Sequence, residues 1–269
     1  MIPLIKVHLG CRLNHSARRT QEYLELSLMN RTINLVALSD AHWKIDYIEP
    51  VKCDILCYCG DWSGSGMMYE HTRLCSWLAK CDARYKLVVP GNHDMFCYKY
   101  EDLAKRMLLD VGAILLVDKE IDIYGLKVYG TPWCPRFGEW GYMRSNEDLN
   151  KIFGKIPLDT NILLTHTPPY GILDTAGTQH IGSKDLLKRV KKIRKLYHFF
   201  GHNHTPGYYK QAHRGKFEVE RHFYNVSVCD NDYEIVAKPK ELTFNIEYDI
   251  IDGENKLIKF EEINNGKPK

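Results

Sequence analysis

The sequence predicts an α/β fold in which parallel strands alternate with helices. Apolar, β-branched runs of strand length recur along the 269 residues, and segments with apolar residues at helical spacing separate several of them. Five of the runs end in a short polar cluster. These clusters are Asp40-Ala41-His42, Gly60-Asp61, Gly91-Asn92-His93-Asp94, His166 and Gly201-His202-Asn203-His204. Since parallel strands joined by right-handed crossovers bring their carboxyl ends to one edge of a sheet, the clusters should meet in space.

The first half of the chain carries three predicted strands, and each leads into one of the clusters. Residues 32–38, 54–59 and 85–89 are short apolar runs rich in Val, Ile and Leu. Between the last two, apolar residues at helical spacing predict a crossover helix over residues 67–81. A strand, a helix and a second strand in this order indicate parallel pairing.

The second half of the chain repeats this alternation and then changes character. The predicted elements are helices over residues 101–109 and 183–196, a hairpin over 121–129 with its turn at Gly125, and strands over 161–165 and 197–200. The two strands lead into the last two clusters. Alternating apolar and polar residues at 216–228, 242–248 and 256–260 then predict antiparallel strands that close a second sheet.

Length and composition indicate one large globular domain. The hydrophobic fraction of 44% is ordinary for a chain that buries a substantial core. We assign residues 32–260 to this domain and residues 261–269 to a polar tail. Residues 1–31 form an N-terminal extension in which 22–29 has the pattern of a short helix. A net charge of +3 is too small to require a nucleic-acid or membrane partner.

Cysteine usage and hydropathy favour a cytoplasmic protein. Nine Cys, an odd number at irregular spacings, indicate reduced thiols rather than a disulfide scaffold. Cys57 and Cys59 would share one face of a strand, where buried thiols fit better than a zinc site without a second Cys pair. The sequence has no apolar run of about 18 residues that would predict a transmembrane helix. Its short, Pro-broken apolar start, followed by Arg residues, does not fit a signal peptide.

The residue types in the clusters are those that hold divalent transition metals. Mixed imidazole and carboxylate ligands suit Mn, Fe, Co, Ni or Zn, and they argue against Ca or Mg alone. Hydrolysis of a phosphate ester needs charge neutralisation and a nucleophile at neutral pH, which two metals about 3.5–4 Å apart supply. A pair this close needs an anionic bridging ligand, for which Asp61 is the natural candidate. The i, i+2 spacing of Asp40 and His42 lets both reach one ion, and Asn92 offers a neutral oxygen.

Together the motifs D-x-H, G-D, G-N-H-D, H and G-H-x-H resemble those of the calcineurin-like metallophosphoesterase superfamily, over residues 32–260. The resemblance implies a four-layer α/β/β/α sandwich of two mixed sheets with a dinuclear site between the sheets. It implies that one ion is held by Asp40, His42, Asp61 and His204, and the other by Asp61, Asn92, His166 and His202. It also makes His93 the proton donor or transition-state stabiliser, and Asp94 the residue that orients it.

Three further segments carry a narrower resemblance: Gly130-Thr131-Pro132-Trp133, residues 164–174 and Asn225-Val226-Ser227-Val228-Cys229. They are similar to the metallophosphoesterase-domain-containing group of vertebrate brain, microbes and viruses, which is associated with small cyclic or mononucleotide substrates. Thr167 stands where that group commonly has Gly, so a narrower pocket is expected. Trp133, Phe137 and Trp140 either stack on a base or pack a loop over the sandwich. We take Trp133 and Trp140 as substrate-binding candidates.

These features predict a soluble metallophosphoesterase with two divalent transition metals, Mn or Fe favoured. The predicted reaction is phosphodiester hydrolysis of a small, cyclic-nucleotide-like substrate by a hydroxide that bridges both metals. The alternatives are a phosphomonoesterase or protein phosphatase of the same superfamily and a low-turnover nucleotide-binding regulator, although the intact pair His202 and His204 argues against the regulator. Seven Lys or Arg in residues 184–195 fit a solvated helix face better than a nucleic-acid surface. The oligomeric state is left open.

Overall fold

The computed structural model describes residues 29–213, 215, 218–251 and 254–263. The strands are β1 (Met29–Leu38), β2 (Lys52–Cys59), β3 (Asp82–Val89), β4 (Ala113–Leu115), β5 (Lys119–Ile123), β6 (Leu126–Thr131), β7 (Cys134–Pro135), β8 (Met143–Arg144), β9 (Ile162–Thr165), β10 (Thr175–Ala176), β11 (Gln179–His180), β12 (Lys195–Phe200), β13 (Gly207–His213), β14 (Val219–Asn225), β15 (Lys240–Ile251) and β16 (Glu254–Glu262). The helices are α1 (Met68–Lys80), α2 (Met95–Lys99), α3 (Glu101–Asp110), α4 (Asn146–Gly154) and α5 (Lys184–Val190), with a 3-10 turn at His42–Tyr47. None of the helices within this part of the chain has the length and apolar composition needed to cross a bilayer.

Two large sheets each have a parallel centre and antiparallel edges. The first has the order β16-β15-β1-β2-β3-β4, in which β1 to β4 run parallel and β15 and β16 run antiparallel. The second has the order β13-β14-β12-β9-β6-β5, in which β5 and β13 are the antiparallel edges. The central strands are nearly all apolar because both of their faces are covered.

The apolar side chains form three cores that stack the layers. One core lies between the two sheets and includes Phe199, which is fully buried. A second lies outside the first sheet, where Leu74 of α1 and Leu108 of α3 are buried. The third lies outside the second sheet, where Phe153 of α4 and Leu186 of α5 are buried. Helices, sheet, sheet and helices give four layers, so the predicted α/β/β/α sandwich of two mixed sheets is confirmed.

The last predicted strands belong to a different sheet from the one expected. β15 pairs antiparallel with β1, from Met29 opposite Tyr248 to Ala37 opposite Lys240, and β16 pairs with β15. They therefore extend the first sheet. β14, which lies in the run predicted at 216–228, belongs to the second sheet but pairs parallel with β12. The expectation that all three runs would be antiparallel strands of a second sheet was wrong, because an alternating pattern identifies a strand and its buried face but not its neighbour.

Two element boundaries also differ from the predicted ones. The helix expected over 183–196 ends at Val190, since the chain turns through residues 191–194 and enters β12 at Lys195. β1 begins at Met29 rather than at residue 32. Met29, the last residue of the short helix considered for 22–29, is therefore in a strand, and residues 22–28 lie outside the described residues. β13 was not predicted because it is an exposed edge strand without an apolar alternation.

Cys57 and Cys59 are core residues of the first sheet. Both are fully buried in the core between the sheets, and the eight cysteines within the described residues are free. Burial raises the pKa of both thiols well above the usual value, which keeps them protonated. A protonated, apolar-packed thiol is a poor metal ligand, in agreement with the interpretation as buried strand thiols.

The inter-sheet core gives a testable expectation at Phe199. Its ring is fully buried and stacks on Tyr224 at 5.2 Å between centroids. Phe199→Ala should lower the free energy of unfolding by about 3–5 kcal/mol, measured by urea denaturation, because it removes a buried aromatic ring. Tyr47→Ala, at a side chain that is 78% exposed, should change it by less than about 0.5 kcal/mol. Equal effects of the two substitutions would contradict this packing.

Candidate metal centre and substrate cleft

The candidate site lies where the carboxyl ends of both sheets meet. A backbone bridge joins the sheets there: the Ser39 N–H donates to Val226 O at 2.9 Å, and the Val228 N–H donates to Ser39 O at 2.9 Å. Ser39 directly follows β1 of the first sheet, and Val226 directly follows β14 of the second. Side chains that follow strands of different sheets therefore face one common space.

Three overlapping groups of side chains offer ligand atoms within 4.8 Å of one another. The groups are Asp40, His42 and His204; His42, Asp61 and His93; and Asp61, His166 and His202. Asn92 adjoins the third group, since its Oδ1 lies 3.0 Å from Nε2 of His166. The structure thus brings together all seven side chains that the sequence singled out as candidate ligands, and it places His93 beside them. Asp61 and His42 each belong to two of the three groups, and of these two only the Asp61 carboxylate has two oxygens to offer to two ions.

Four of the site histidines direct Nδ1 at a backbone carbonyl. The pairs are His42 with Ser63 at 3.1 Å, His93 with Gly64 at 2.9 Å, His166 with Cys59 at 2.9 Å and His204 with Asp230 at 3.1 Å. A carbonyl oxygen only accepts, so Nδ1 must carry the proton in each ring. Every neutral ring then presents the lone pair of Nε2 to the site, as metal-binding histidines do.

The converging Nε2 atoms face other acceptors rather than donors. Nε2 of His42 lies 3.1 Å from Nε2 of His204, and Nε2 of His166 lies 3.1 Å from Oδ2 of Asp61. Two lone pairs at these distances repel one another unless a proton or a metal cation lies between them. Imidazole nitrogens with carboxylate and amide oxygens are a donor set for divalent transition metals. The residues present therefore fit such ions.

The charges around Asp61 strengthen the preference for a cation. Burial opposes protonation of His166, yet the carboxylate of Asp61 raises the pKa of this ring to about 9. Burial likewise favours a protonated Asp61, but the His166 imidazole holds the pKa of its carboxyl below the usual value. Burial lowers the pKa of His42 to about 4 and that of His202 to about 3. The latter two rings are therefore neutral lone-pair donors at neutral pH.

The backbone is strained at the residues that carry these side chains. Nine non-glycine residues within the described chain have positive φ, and four of them are candidate ligands. These are Asp40 at 54°, His42 at 46°, Asp61 at 55° and His202 at 67°. Left-handed backbone costs about 1–3 kcal/mol per non-glycine residue and tends to gather at functional sites. The loops tolerate this conformational cost because the left-handed backbone directs the ligand atoms of these residues into the site.

Two glycines are required by close approach to the candidate ligands. A Cβ on Gly91 would lie 2.2 Å from Oδ1 of Asp61, and a Cβ on Gly201 would lie 2.0 Å from Oδ2 of Asp40. Neither glycine has a positive φ, so a turn conformation does not explain them. The lack of a side chain lets each loop pass directly against an aspartate carboxylate.

Asp94 differs from its expected role as the residue that orients His93. Its Oδ2 accepts hydrogen bonds from the Asp61 N–H at 2.9 Å and the Gly91 N–H at 2.7 Å, and its Oδ1 accepts from the Ser63 N–H at 3.0 Å. Nδ1 of His93 donates to Gly64 O instead. Asp94 therefore fastens two loops to each other through their amides, because a buried carboxylate must satisfy its lone pairs with nearby donors.

A cleft of about 910 Å³ opens over the candidate metal centre. Its floor includes Asp61, Asn92, His93, His202 and His204. The wall includes residues that the sequence did not single out, namely Tyr170, His180, Lys184 and Tyr233. The Nδ1–H of His180 donates to the buried carboxylate of Asp174 at 2.7 Å, and the Tyr233 ring packs 4.7 Å from that of His42. The Tyr233 contact has no sequence signature because it depends on how distant loops fold together, whereas the His180 contact is local and lies at the β10–β11 hairpin.

The three aromatic candidates have different surroundings: Trp133 packs against Asp118 and Arg144, Trp140 packs beside His93, and Phe137 lines the cleft. The Trp133 indole N–H donates to Asp118 at 2.8 Å, and the Arg144 guanidinium lies 4.0 Å from a Trp133 ring centroid. These contacts hold the Trp133 ring within the structure, and neither Trp133 nor Trp140 is among the residues that line the cleft, whereas Phe137 is. Trp140, which is 40% exposed, lies 4.3 Å from the His93 ring, and Phe137 lies 5.5 Å from the His202 ring.

Thr167 does not narrow the cleft as expected. It is fully buried and is absent from the residues that line the cleft. Its backbone carbonyl accepts a hydrogen bond of 2.6 Å from the Thr165 hydroxyl. The larger side chain at this position is therefore accommodated behind the site rather than in front of it.

Comparison with known proteins agrees with this geometry. The family model for the calcineurin-like phosphoesterases matches residues 32–206. Metallophosphoesterase domain-containing protein 1 of Homo sapiens is 31% identical over 229 residues, covering 76% of this chain and 68% of that protein. A UPF0046 protein of Caenorhabditis elegans is 30% identical over 219 residues, covering 77% of this chain and 73% of its own. One solved crystal structure, 14% identical, shares the fold with a TM-score of 0.51 and covers 86% of this chain and 100% of its own.

Gly91→Ala tests whether the packing against Asp61 matters for metal binding. The added methyl group must displace the Asp61 carboxylate, so Mn²⁺ affinity should fall by about 10- to 100-fold, the usual effect of disturbing a ligand's support. Isothermal titration calorimetry on the folded variant gives this value. Gly154→Ala is the matched control, because a Cβ there meets nothing within 4 Å. Unchanged affinity in Gly91→Ala would separate Asp61 from the metal site.

Proposed function

Because the chain belongs to the calcineurin-like phosphoesterase family, we propose that it is a two-metal phosphodiesterase for a small, nucleotide-like ester. The family consists of hydrolases that act on phosphate esters with divalent metals. The observation that carries the proposal is the convergence of imidazole Nε2 atoms and aspartate oxygens on the floor of a cleft. A site so rich in lone pairs is suited to hold cations and then a phosphate.

We assign the ligands to two ions that share Asp61. One ion would be held by Asp40, His42, Asp61 and His204, and the other by Asp61, Asn92, His166 and His202. The first and third of the ligand groups support this division, since each contains three of the four residues. Two such ions, when bound, supply Lewis acidity and neutralise the phosphoryl oxygens. Mn or Fe remains our preferred metal, because both accept mixed nitrogen and oxygen ligands.

His93 is placed to handle the proton of the leaving group. Its Nδ1–H is committed to Gly64 O, so the ring can donate only from Nε2 when it is protonated there. The ring also lines the cleft beside Asp61 and Asn92. We propose that Nε2–H of the protonated ring donates to the departing ester oxygen, as a general acid does.

The cleft favours a small ester over a protein substrate. Its volume of about 910 Å³ lies within the usual range of small-molecule sites. Lys184 is the one Lys or Arg among the described residues that line it. A phosphodiester carries one charge on the scissile group and a monoester up to two, so a single nearby cation suits the diester better. The exposed ring of Phe137 in the cleft, and that of Trp140 beside His93, suit a nucleobase.

Metal removal and a substrate panel test the proposed activity. Chelation should abolish hydrolysis of bis-nitrophenyl phosphate and of a cyclic mononucleotide, and Mn²⁺ should restore it, because without the metals no divalent cation neutralises the phosphoryl oxygens. The diesters should exceed nitrophenyl phosphate in kcat/KM. A higher kcat/KM for the monoester would favour the phosphomonoesterase alternative. Binding of nucleotide without turnover of any ester would favour the regulator.

His93→Ala should lower kcat without loss of metal. A general acid contributes about 10²–10⁴-fold, so an alkyl nitrophenyl diester and a dialkyl-type nucleotide diester give a useful comparison. The loss should be smaller when nitrophenolate leaves, because that anion needs less protonation. Loss of bound Mn²⁺ in this variant, measured by elemental analysis, would make His93 a ligand instead.

Trp140→Ala and Phe137→Ala should raise KM for a nucleotide diester more than for a small nitrophenyl diester. Stacking on a base is worth about 1–3 kcal/mol, which corresponds to roughly 5- to 150-fold in KM. Tyr47→Ala removes an exposed aromatic ring that does not line the cleft and serves as the control. Equal rises for both substrates would show that these rings do not recognise the base.

A further inference from the structure

The loop between β2 and α1 supplies the carbonyls that orient two of the site histidines. Ser63 O accepts from Nδ1 of His42 at 3.1 Å, and Gly64 O accepts from Nδ1 of His93 at 2.9 Å. These contacts decide the tautomer of both rings, because the proton must stay on the nitrogen that faces a carbonyl. Whatever fixes the two carbonyls therefore fixes the lone pairs that the rings present to the cleft.

Glu70 holds this loop from the side opposite to the histidines. Its Oε1 accepts from the Gly64 N–H at 2.9 Å and the Ser65 N–H at 3.2 Å. Its Oε2 accepts from the Ser65 hydroxyl at 2.9 Å and the Met67 N–H at 2.8 Å. The residue is 2% exposed. Burial disfavours its charge, but the hydrogen bonds from Met67, Gly64 and Ser65 lower its pKa below the usual value, so it is ionised at neutral pH.

Two peptide planes connect Glu70 to the histidines. Ser63 C=O and Gly64 N–H belong to one planar peptide unit, and Gly64 C=O and Ser65 N–H belong to the next. In each unit the N–H points at Oε1 of Glu70 and the C=O receives the Nδ1–H of a site histidine. Because each unit is planar, the C=O turns whenever the N–H on the same unit follows a movement of the Glu70 carboxylate. A charged acceptor on the N–H also polarises the unit and strengthens the carbonyl as an acceptor.

From these contacts we infer that Glu70 is a positioning residue that acts through the peptide units 63–64 and 64–65 to fix the ring orientation and Nδ1–H tautomer of His42 and His93. The effect on His93 rests on the proton-donor role proposed above. Helix capping alone does not account for Glu70, because only its contact with the Met67 N–H belongs to the start of α1. The other three donors lie on residues 64 and 65, which precede the helix.

The surroundings leave this loop little freedom to compensate. Gly64 packs directly beneath the Trp43 indole, where a Cβ would lie 2.0 Å from a ring carbon. The Ser63 N–H is held by Asp94 at 3.0 Å. Three consecutive amides, at residues 63, 64 and 65, thus end on two buried carboxylates. Removal of the Glu70 carboxylate leaves two of these three amides, those of Gly64 and Ser65, without their acceptor.

Imidazole nitrogen spectra of the metal-free protein test the inference without reference to activity. In the wild type, His42 and His93 should each show one tautomer, with the proton on Nδ1. Glu70→Gln keeps the shape of the side chain but removes its charge and places an amide donor among donors, so a share of the Nε2–H tautomer should appear at both rings. His166 is an internal control, since its Nδ1–H donates to Cys59 O outside the loop. Unchanged signals at both rings would overturn the inference.

Kinetics with saturating Mn²⁺ separate positioning from general stability. Glu70→Gln should lower kcat about 10-fold for a diester with a poor leaving group, since small misplacements of a reacting group are costly. It should change kcat by less than about twofold in the His93→Ala background, because His93 is gone and saturating Mn²⁺ compensates for any weaker metal binding by His42. A full tenfold loss in that background would contradict an action through His93.

Ser145→Ala is the matched control for loss of a helix cap. The Ser145 hydroxyl accepts from the Asp148 N–H at the start of α4, and Ser145 does not itself line the cleft or contact residues 63–65, although the following Asn146 lines the cleft. This variant should lower thermal stability without changing kcat or either tautomer. If the wild type hydrolyses no ester at all, the proposed function fails, whereas the imidazole spectra still decide whether Glu70 positions the rings. Glu70→Asp serves where Glu70→Gln does not fold, with the same expected direction at both rings.

Discussion

The contact between the ends of the two sheets at Ser39 is the constraint on which the site depends. Two backbone hydrogen bonds of 2.9 Å tie Ser39 to the segment that follows β14. The Ser39 hydroxyl also donates to Cys59 O at 2.8 Å, which links the end of β1 to the end of β2. Asp40, which comes next, accepts from the His202 N–H at 3.1 Å. Ligand side chains from both sheets can converge only because these strand ends are held this close.

Around this contact between the sheets, buried carboxylates and backbone carbonyls set the positions of the reactive groups. Asp94 joins the loops after β2 and β3 through the amides of Asp61, Ser63 and Gly91. Backbone carbonyls receive the Nδ1–H of four histidines and leave Nε2 free. The outcome is a cavity floor in which lone pairs outnumber protons, which is unfavourable by itself and favourable around cations. The polar network therefore specifies cation binding more than it stabilises the fold.

The sequence was informative about the site because its chemistry is local to strand ends. Asp40, Asp61 and His166 lie within two residues of the strands that precede them, so an apolar run followed by a polar residue was enough to find them. The partners of β15 and β16 were not predictable in the same way, because pairing is decided by the whole sheet. Trp133 and Trp140 differ only in what surrounds them, which residue type does not reveal. Glu70 left no signal either, since three of its four hydrogen-bond donors are backbone amides.

Anomalous diffraction at the manganese edge, from crystals grown with Mn²⁺, shows directly whether two metal ions share Asp61. A two-metal site should give two anomalous peaks per chain about 3.5–4 Å apart, both in contact with the Asp61 carboxylate. His166 and His202 should lie beside one peak, and His42 and His204 beside the other. A single peak, or peaks that Asp61 does not touch, would contradict a two-metal site built on the meeting of the two sheets.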